Sequence, residues 1–213
     1  MKPIFLLADS QLLFWRENGA LLIGRLVTRD RLKAAYIGAS NGDNPNFYAI
    51  FVAAMKGVSV VDCRMIASAL SERDLAFLND ADIILLAGGD VEAGWRTFVT
   101  NGLSNHLIRR HAEGASLIGI SAGAVQLGLG YLKLVPFIIG AHEESTNWKT
   151  TIERLSESDT TAIGLPTGGG AVYHEDRTLE PLRHPLVKLS LSGGEVKRTY
   201  LHGPQKGTKG TQD

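Results

Sequence analysis

The sequence has a single cysteine, Cys63, among its 213 residues. An intrachain disulfide is therefore excluded, and such sparing use of cysteine is typical of a reducing compartment, so we expect a cytoplasmic location. Cys63 follows the apolar run Val58 to Val61. This position predicts a buried small hydrophobic side chain rather than a reactive thiol.

The chain also lacks an excess of charge of either sign. Lys plus Arg and Asp plus Glu number 22 each, so no overall field favours a nucleic acid or an acidic polymer as partner. The N-terminal apolar run, Met1 to Ala8, ends at Asp9 and is too short for a signal-peptide core or a membrane span. We expect it to form a first strand, and we expect neither nucleic acid nor a membrane as a partner.

Length and hydrophobic content indicate one domain. A chain of 213 residues with 44% hydrophobic content can bury a substantial core. We predict a single α/β hydrolase-type domain over residues 1–202. Residues 203–213 consist mainly of Gly, Lys, Thr and Gln, a composition that predicts a disordered tail.

Apolar runs alternate with helix-like segments through most of the chain, which is typical of an α/β fold with a mostly parallel sheet and crossover helices. The predicted strands are short and rich in Ile, Leu or Val: Pro3 to Ala8, Ala34 to Gly38, Val58 to Val61, Ile83 to Ala87 and Ser116 to Ile120. The predicted helices are Asn46 to Lys56, Glu72 to Asn79, Val91 to Asn101 and Leu103 to Glu113.

The pattern changes after about residue 166, where short β-like segments follow one another without helices between them. These segments are Gly168 to His174, Arg177 to Leu179, Leu186 to Ser192 and Glu195 to Leu201. Gly193 and Gly194 separate two alternating runs, which predicts a hairpin. We expect a C-terminal antiparallel β appendage on the sheet rather than a second domain.

Ser121 lies in the run Gly119 to Gly123, after an apolar strand and before a small-residue segment that can enter a helix. This is the G-x-S-x-G pattern of a nucleophile elbow, a tight turn in which a Cβ at either glycine would collide with a neighbouring element. The serine would then lie exposed at the positive end of a helix dipole, near N–H groups that can hold an oxyanion. A Gly-rich turn with an N-capping serine is the alternative interpretation.

Ligands of open α/β sheets bind at the carboxyl ends of the strands, so the loops there are candidate binding segments. The loop after the second predicted strand contains Asn41. The loop after the fourth contains Gly88, Gly89 and Asp90. We predict that Asn41, Gly88 and Asp90 bind substrate.

A nucleophilic serine needs a base, and histidine has the pKa that suits this role. Of the six histidines, His184 lies in a predicted turn, which is a poor place for a positioned base. His142 and His174 both stand at the exit of an apolar run, and position favours His142. The remaining three, His106, His111 and His202, are expected to be solvated.

Several segments together resemble dipeptidase E and its relatives, serine peptidases that include the cyanophycinases and share the class I glutamine amidotransferase fold. They are Ala81 to Asp90 (ADIILLAGGD), Ile118 to Val125 (IGISAGAV), Pro136 to His142, Ala162 to Gly168 (AIGLPTG) and Leu186 to Gly203. The resemblance covers nearly the whole chain in order and implies a three-layer α/β/α fold. It also implies that Ser121 is the nucleophile, that His142 is its base, and that the Gly89 and Ala122 N–H groups form the oxyanion hole.

The sequence departs from that family in two places. The segment between serine and histidine, Gln126 to Pro136, lacks the carboxylate that completes the family's triad. Glu144 is the predicted replacement because it recreates the H-x-E arrangement of glutamine amidotransferases, with Glu143 and a solvated role for both as alternatives. The family's substrate-gripping arginine after the histidine is also missing, since no arginine lies between His142 and Arg154. The lysine in that stretch, Lys149, does not replace a guanidinium without loss.

The predicted function is hydrolysis of a small peptide or amide by Ser121 and His142 through an acyl-enzyme. No cofactor and no metal is expected, because the sequence offers no cluster at ligand spacing. A non-catalytic binding domain with a degenerate site and an esterase on the same site are the alternatives. The apolar helix Asn46 to Lys56 is compatible with a homodimer interface and equally with ordinary core packing.

Overall fold

The computed structural model describes residues 2–26, 31–58, 60 and 62–203, so the predicted tail beyond residue 203 lies outside the described residues. The strands are β1 (Ile4–Leu7), β2 (Arg16–Glu17), β3 (Ala20–Leu21), β4 (Lys33–Ile37), β5 (Asp62–Ile66), β6 (Ile83–Leu86), β7 (Ser116–Ile120), β8 (Ile138–Ala141), β9 (Thr161–Leu165), β10 (Gly170–Tyr173), β11 (Leu179–Leu182), β12 (Leu186–Ser192) and β13 (Glu195–Leu201). The α-helices are α1 (Pro45–Lys56), α2 (Glu72–Asp80), α3 (Val91–Thr100), α4 (Leu103–Ala112), α5 (Ala122–Leu127) and α6 (Lys149–Ser156).

The central sheet has seven strands in the order β11-β10-β1-β7-β6-β4-β5. Strands β1, β7, β6, β4 and β5 run parallel, while β10 and β11 extend the sheet in antiparallel fashion. Side chains of β1 alternate between two cores: Ile4 and Leu6 face the core beneath α2 to α5, and Phe5 and Leu7 face the core beneath α1. The predicted α/β class and its three layers are therefore confirmed.

The C-terminal hairpin does not join the central sheet. Strands β12 and β13 pair with β9, which pairs in parallel with β8, and these four form a second sheet. Helix α6 packs on this sheet through Trp148, which precedes it, and Leu155. The predicted hairpin turn is confirmed, since Gly193 and Gly194 both have positive φ, at 61° and 83°. The predicted appendage is thus divided between the two sheets.

The predicted strand Val58 to Val61 is wrong in position. Ser59 and Val61 lie outside the described residues, and the N–H groups of Val58 and Val60 both donate to the Met55 carbonyl oxygen, at 3.1 and 3.2 Å. These valines therefore close the end of α1, and their hydrophobicity reflects core packing in a turn. Strand β5 follows directly, with Cys63 only half-buried in it.

The predicted strand Arg177 to Leu179 is also displaced. Arg177 has φ 68°, and its N–H donates to the His174 carbonyl oxygen at 3.0 Å, so it belongs to a turn. Strand β11 begins only at Leu179. The left-handed backbone at Arg177 delays the start of the extended backbone that the β-like segment predicted.

Close packing around the β7–α5 turn explains its two glycines. A Cβ on Gly119 would lie 2.6 Å from the Ala124 backbone, and a Cβ on Gly123 would overlap the carbonyl oxygen of Leu86 on β6. Both distances are far below contact between real atoms. The two glycines thus let α5 lie directly against β7 and β6.

No helix among the described residues has both the length and the apolar composition needed to span a membrane.

We expect Gly123→Ala to lower the free energy of unfolding by about 3 kcal/mol, because the new methyl group has no space beside the Leu86 backbone. Gly24→Ala is the matched control, since the nearest atom to its Cβ would be Val58 Cγ1 at 4.0 Å. Chemical unfolding of both variants measures the difference. Equal destabilisation of the two would contradict the packing argument.

Candidate active site

One cavity of about 240 Å³ lies at the carboxyl ends of β1, β7, β6 and β4. This is the edge at which open α/β sheets bind their ligands. Its lining brings together Ser121, His142 and the Gly88–Gly89 turn. The remaining lining residues are Ala8, Asp9, Ser10, Leu13, Tyr36, Asn41, Phe47, Ile50, Phe51, Leu85, Ala87 and Ile120.

Ser121 occupies a strained turn between β7 and α5. Its backbone has φ 48° and ψ −109°, a conformation that costs a non-glycine residue about 1–3 kcal/mol. Its N–H donates to the Leu7 carbonyl oxygen at 2.8 Å, and its carbonyl oxygen accepts from the Val125 N–H at 3.0 Å. The side chain does not cap α5. Ser121 is therefore the N-cap residue of α5 by position, without the side-chain hydrogen bond that a capping serine makes.

His142 follows β8 directly and also has positive φ, at 60°. Its N–H donates to the Leu165 carbonyl oxygen at 3.2 Å, so the end of the second sheet fixes its backbone. Its ring Nδ1 lies 3.3 Å from the hydroxyl of Thr167. With the proton on Nδ1, the ring donates to that hydroxyl and leaves the Nε2 lone pair free.

The Gly88–Gly89 turn lies against the short 3₁₀ helix Ala39–Asn41. Gly89 has φ 139°, and a Cβ on it would overlap the Ser40 carbonyl oxygen. That oxygen accepts from the Asp90 N–H at 2.7 Å. Within the described part of the chain, the N–H groups of Gly89 and Ala122 donate to no protein acceptor.

A buried, hydrogen-bonded pair of polar side chains, Ser40 and Gln126, lies next to this turn. Gln126 on α5 is fully buried and donates through Nε2 to the Ser40 hydroxyl at 3.0 Å and to the Val91 carbonyl oxygen at 2.9 Å. The α5 helix is thereby linked to the loops that carry Gly89. Sequence reasoning missed Ser40 and Gln126, because an isolated serine or glutamine gives no signal of such a contact.

Glu144 reaches the His142 neighbourhood through Thr167. Its Oε1 accepts from the Thr167 N–H at 2.5 Å. Partial burial alone would raise the pKa of Glu144, but the backbone N–H groups of Glu144 and Thr167, the Thr167 side chain and the His142 charge lower it below its ordinary value. Thr167, which the sequence analysis did not single out, therefore contacts both residues.

Glu143 has a different partner. Its carboxylate accepts from the N–H and the hydroxyl of Thr151, at 3.0 and 2.8 Å, in the first turn of α6. Carboxylates in this position stabilise a helix N-terminus. Glu143 therefore stabilises the N-terminus of α6.

The remaining predicted binding residues differ in placement. Asn41 lines the cavity, but its amide donates to the Tyr36 hydroxyl at 2.9 Å and its Oδ1 accepts from the Asn44 N–H at 3.1 Å. Asp90 accepts from the Ala93 N–H at 2.8 Å and caps α3. Asp90 therefore has a structural contact at the edge of the site, whereas Asn41 shapes its wall.

The other histidines lie elsewhere. His111 was expected to be solvated, but it is buried, with its ring Nδ1 3.2 Å from the Ala115 carbonyl oxygen, and burial lowers its pKa. The face of α4 that carries His111 packs on the sheet, whereas the sequence predicted that this face is exposed to solvent. His174 pairs with Glu180 at 2.8 Å and lines a different cavity.

Across the described ranges, no three His, Cys, Asp or Glu side chains come together as a metal site would require.

No protein-family model matches the sequence, and no curated protein matches it either. Several solved structures are similar, and they include the following two. A peptidase from an acI-B1 Actinobacterium has a TM-score of 0.70 at 14% identity, covering 96% of each chain. A putative peptidase E protein from Listeria monocytogenes EGD-e has a TM-score of 0.60 at 18% identity, covering 95% of this chain and 100% of that one.

The chain has a peptidase E-like fold. The resemblance that the sequence motifs indicated is thereby confirmed at the level of the fold. At this sequence identity the likeness concerns the backbone arrangement, so the chemistry of the site depends on this chain's own residues.

Asp9 connects two parts of the peptidase E-like fold at the edge of the cavity. Its Oδ1 accepts from the Gln11 N–H at 2.9 Å, and its Oδ2 accepts from the Gly168 N–H at 2.6 Å. The carboxylate thus ties the end of β1 to the loop that carries Thr167. The sequence signal for Asp9 was its position directly after a predicted strand. That β1 lies beside β7, which places Asp9 near Ser121, became known only from the folded sheet.

We expect Asp9→Ala to increase the amide hydrogen exchange of Gly168 by at least about 10-fold, because a charge-assisted hydrogen bond contributes roughly 1.5–3 kcal/mol. NMR-detected exchange measures this rate. Asp90→Ala is the control, since it removes the cap on Ala93 and leaves the Gly168 contact in place. Unchanged exchange at Gly168 in Asp9→Ala would show that Asp9 does not hold the loop.

Proposed function

We propose that this protein is a serine-type peptidase or amidase, with Ser121 as nucleophile and His142 as general base. The observation that carries the proposal is that Ser121 has a strained backbone, that its side chain makes no capping hydrogen bond, and that it lines the same cavity as His142. Backbone strain persists where the surroundings enforce it and is concentrated at functional sites. The peptidase names of the two structural neighbours support the same class.

The proposed reaction is acyl transfer to water. His142 Nε2 takes the Ser121 hydroxyl proton as Oγ forms a bond to the amide carbonyl carbon. The N–H groups of Gly89 and Ala122 hold the oxyanion. The C–N bond then breaks as His142 protonates the leaving nitrogen, and a water molecule, deprotonated by His142, releases the acid and returns the proton to Ser121.

Thr167 and Glu144 take the place of a conventional third triad member in this proposal. The Thr167 hydroxyl accepts from Nδ1 of His142 and fixes the tautomer, while Glu144 holds Thr167 through its backbone N–H. The negative Glu144 also stabilises the imidazolium that forms during catalysis. Glu143 has no part in this arrangement because Thr151 binds it.

The first test is covalent labelling by a fluorophosphonate. We expect wild-type protein to react at Ser121, Ser121→Ala not to react, and His142→Ala to react at least about 100-fold more slowly, because general-base catalysis contributes roughly 10²–10⁴-fold. Mass spectrometry locates the label and gives the rate. His174→Ala is the matched histidine control and should react at the wild-type rate. Folded wild-type protein that is never labelled would favour a non-catalytic binding domain, and turnover of esters without amides would favour an esterase.

The second test concerns Thr167. We expect Thr167→Val to lower kcat/KM about 3-fold to 10-fold, the value of one hydrogen bond, and Thr167→Ser to restore it. Valine keeps the shape of threonine and lacks its hydroxyl, so the loss measures the contact between the Thr167 hydroxyl and Nδ1 of His142. If Thr167 only packs, Thr167→Val should keep the wild-type kcat/KM, or serine should fail to restore it, and either result would contradict the role of the hydroxyl.

A further inference from the structure

The cavity beside Ser121 has Asp9, Ser10 and His142 on one side, together with the apolar Ala8 and Leu13, and mainly aromatic and aliphatic side chains on the other, the apolar side. Strand β7 carries Ser121, with β1 on one side of it and β6 and then β4 on the other. On the β1 side lie Asp9 and Ser10, and His142 comes from the second sheet near the loop that Asp9 binds. On the β4 side lie Tyr36 and the α1 residues.

The β4 side is lined by aromatic and aliphatic side chains. Tyr36 and Phe51 are buried, with ring centroids 5.5 Å apart, and Phe47 and Ile50 stand above them at the mouth. Burial raises the pKa of Tyr36, so its ring stays neutral, and its hydroxyl is engaged by Asn41. Neighbouring strands are about 4.8 Å apart, so Tyr36 on β4 lies roughly 10 Å from β7, and the apolar Leu85 and Ala87 line the cavity between them.

Within the described part of the chain, no lysine or arginine is among the residues that line the cavity and could hold an acidic side chain there. Arg154, the first arginine after His142, donates to the carbonyl oxygens of Ile139 and Leu129 and lies over the Tyr131 ring, 5.2 Å from its centroid. Asp9, which lines the cavity, would repel a substrate carboxylate.

The direction of the reaction assigns the apolar side to the acyl group. His142 must protonate the leaving nitrogen, so the leaving group lies toward His142. The residue that contributes the carbonyl then extends the other way, past Gly88 and Gly89 toward β4. A cavity of about 240 Å³ has room for one large side chain, since one of roughly 150 Å³ holds benzene.

We propose that the enzyme selects an aromatic or large aliphatic side chain on the residue whose carbonyl Ser121 attacks, and that Phe47, Phe51, Ile50 and Tyr36 form its pocket. This inference rests on the proposed function of Ser121. It differs from selection of an N-terminal aspartate, which requires a cation. The exposed positions of Phe47 and Ile50, at 49% and 36%, are explained by a role in covering a bound side chain.

Turnover of aminoacyl methylcoumarinamides tests the preference, because the leaving group is constant across the series. We expect kcat/KM for the phenylalanyl and leucyl substrates to exceed that for the aspartyl substrate by at least about 10-fold. Ser121→Ala should remove turnover of all of them. Ser121-dependent turnover that is equal or higher for the aspartyl or alanyl substrate would overturn the inference.

Two substitutions on α1 test the pocket itself. Phe47→Ala should lower kcat/KM for the phenylalanyl substrate roughly 5-fold to 50-fold and change the alanyl substrate little, whereas Phe14→Ala, an exposed phenylalanine outside the lining, should change neither. Ile50→Arg should move the aspartyl-to-phenylalanyl ratio of kcat/KM upward at least about 10-fold, with Ile108→Arg on α4 as control. Equal effects of lining and control variants would overturn the assignment.

Binding separates this inference from the proposed chemistry. Calorimetry with Ser121→Ala should detect tighter binding of phenylalaninamide than of aspartic acid α-amide. If that preference appears while the wild type neither turns over substrate nor reacts with a fluorophosphonate, the pocket assignment stands as a binding site and the proposed catalysis fails. If the preference is absent, the pocket assignment fails whatever the activity.

Discussion

The contact between α5 and the strands beneath it determines the geometry of the whole site. Because Gly119 and Gly123 carry no side chain, α5 lies directly on β7 and β6, and the chain must turn sharply at Ser121 to enter the helix. The same approach brings Gln126 to the Ser40 hydroxyl. The strained backbone of Ser121 and the position of the Gly89 turn thus both follow from one close packing.

The two sheets contribute opposite halves of the candidate active site. The central sheet supplies Ser121, the Gly88–Gly89 turn and the apolar wall, while the second sheet supplies His142 at the end of β8. Asp9 links the halves through the Gly168 N–H. In the proposed mechanism, the relative position of nucleophile and base therefore depends on a hydrogen bond between the sheets.

Local patterns predicted the elements and the turn that carry the proposed nucleophile. Strand β7 and the hairpin strands β12 and β13 have the bounds that their apolar runs indicated, because each run is short and ends at turn residues. The run at Val58 misled the prediction, because a valine packed in a turn has the same hydrophobicity as one in a strand. The burial of His111 was likewise not predictable from local sequence, because the face of a surface helix that is buried depends on how the helix packs on the sheet.

The sequence by itself determined the α/β class and the tight glycine-flanked turn at Ser121, since each depends on residues close together in the chain. Only the tertiary structure decided what surrounds them. Thr167 comes between His142 and Glu144, and Tyr36 and Phe51 line the same cavity as Ser121. These contacts join segments far apart in sequence, and the order of strands that creates them is an outcome of packing the whole sheet.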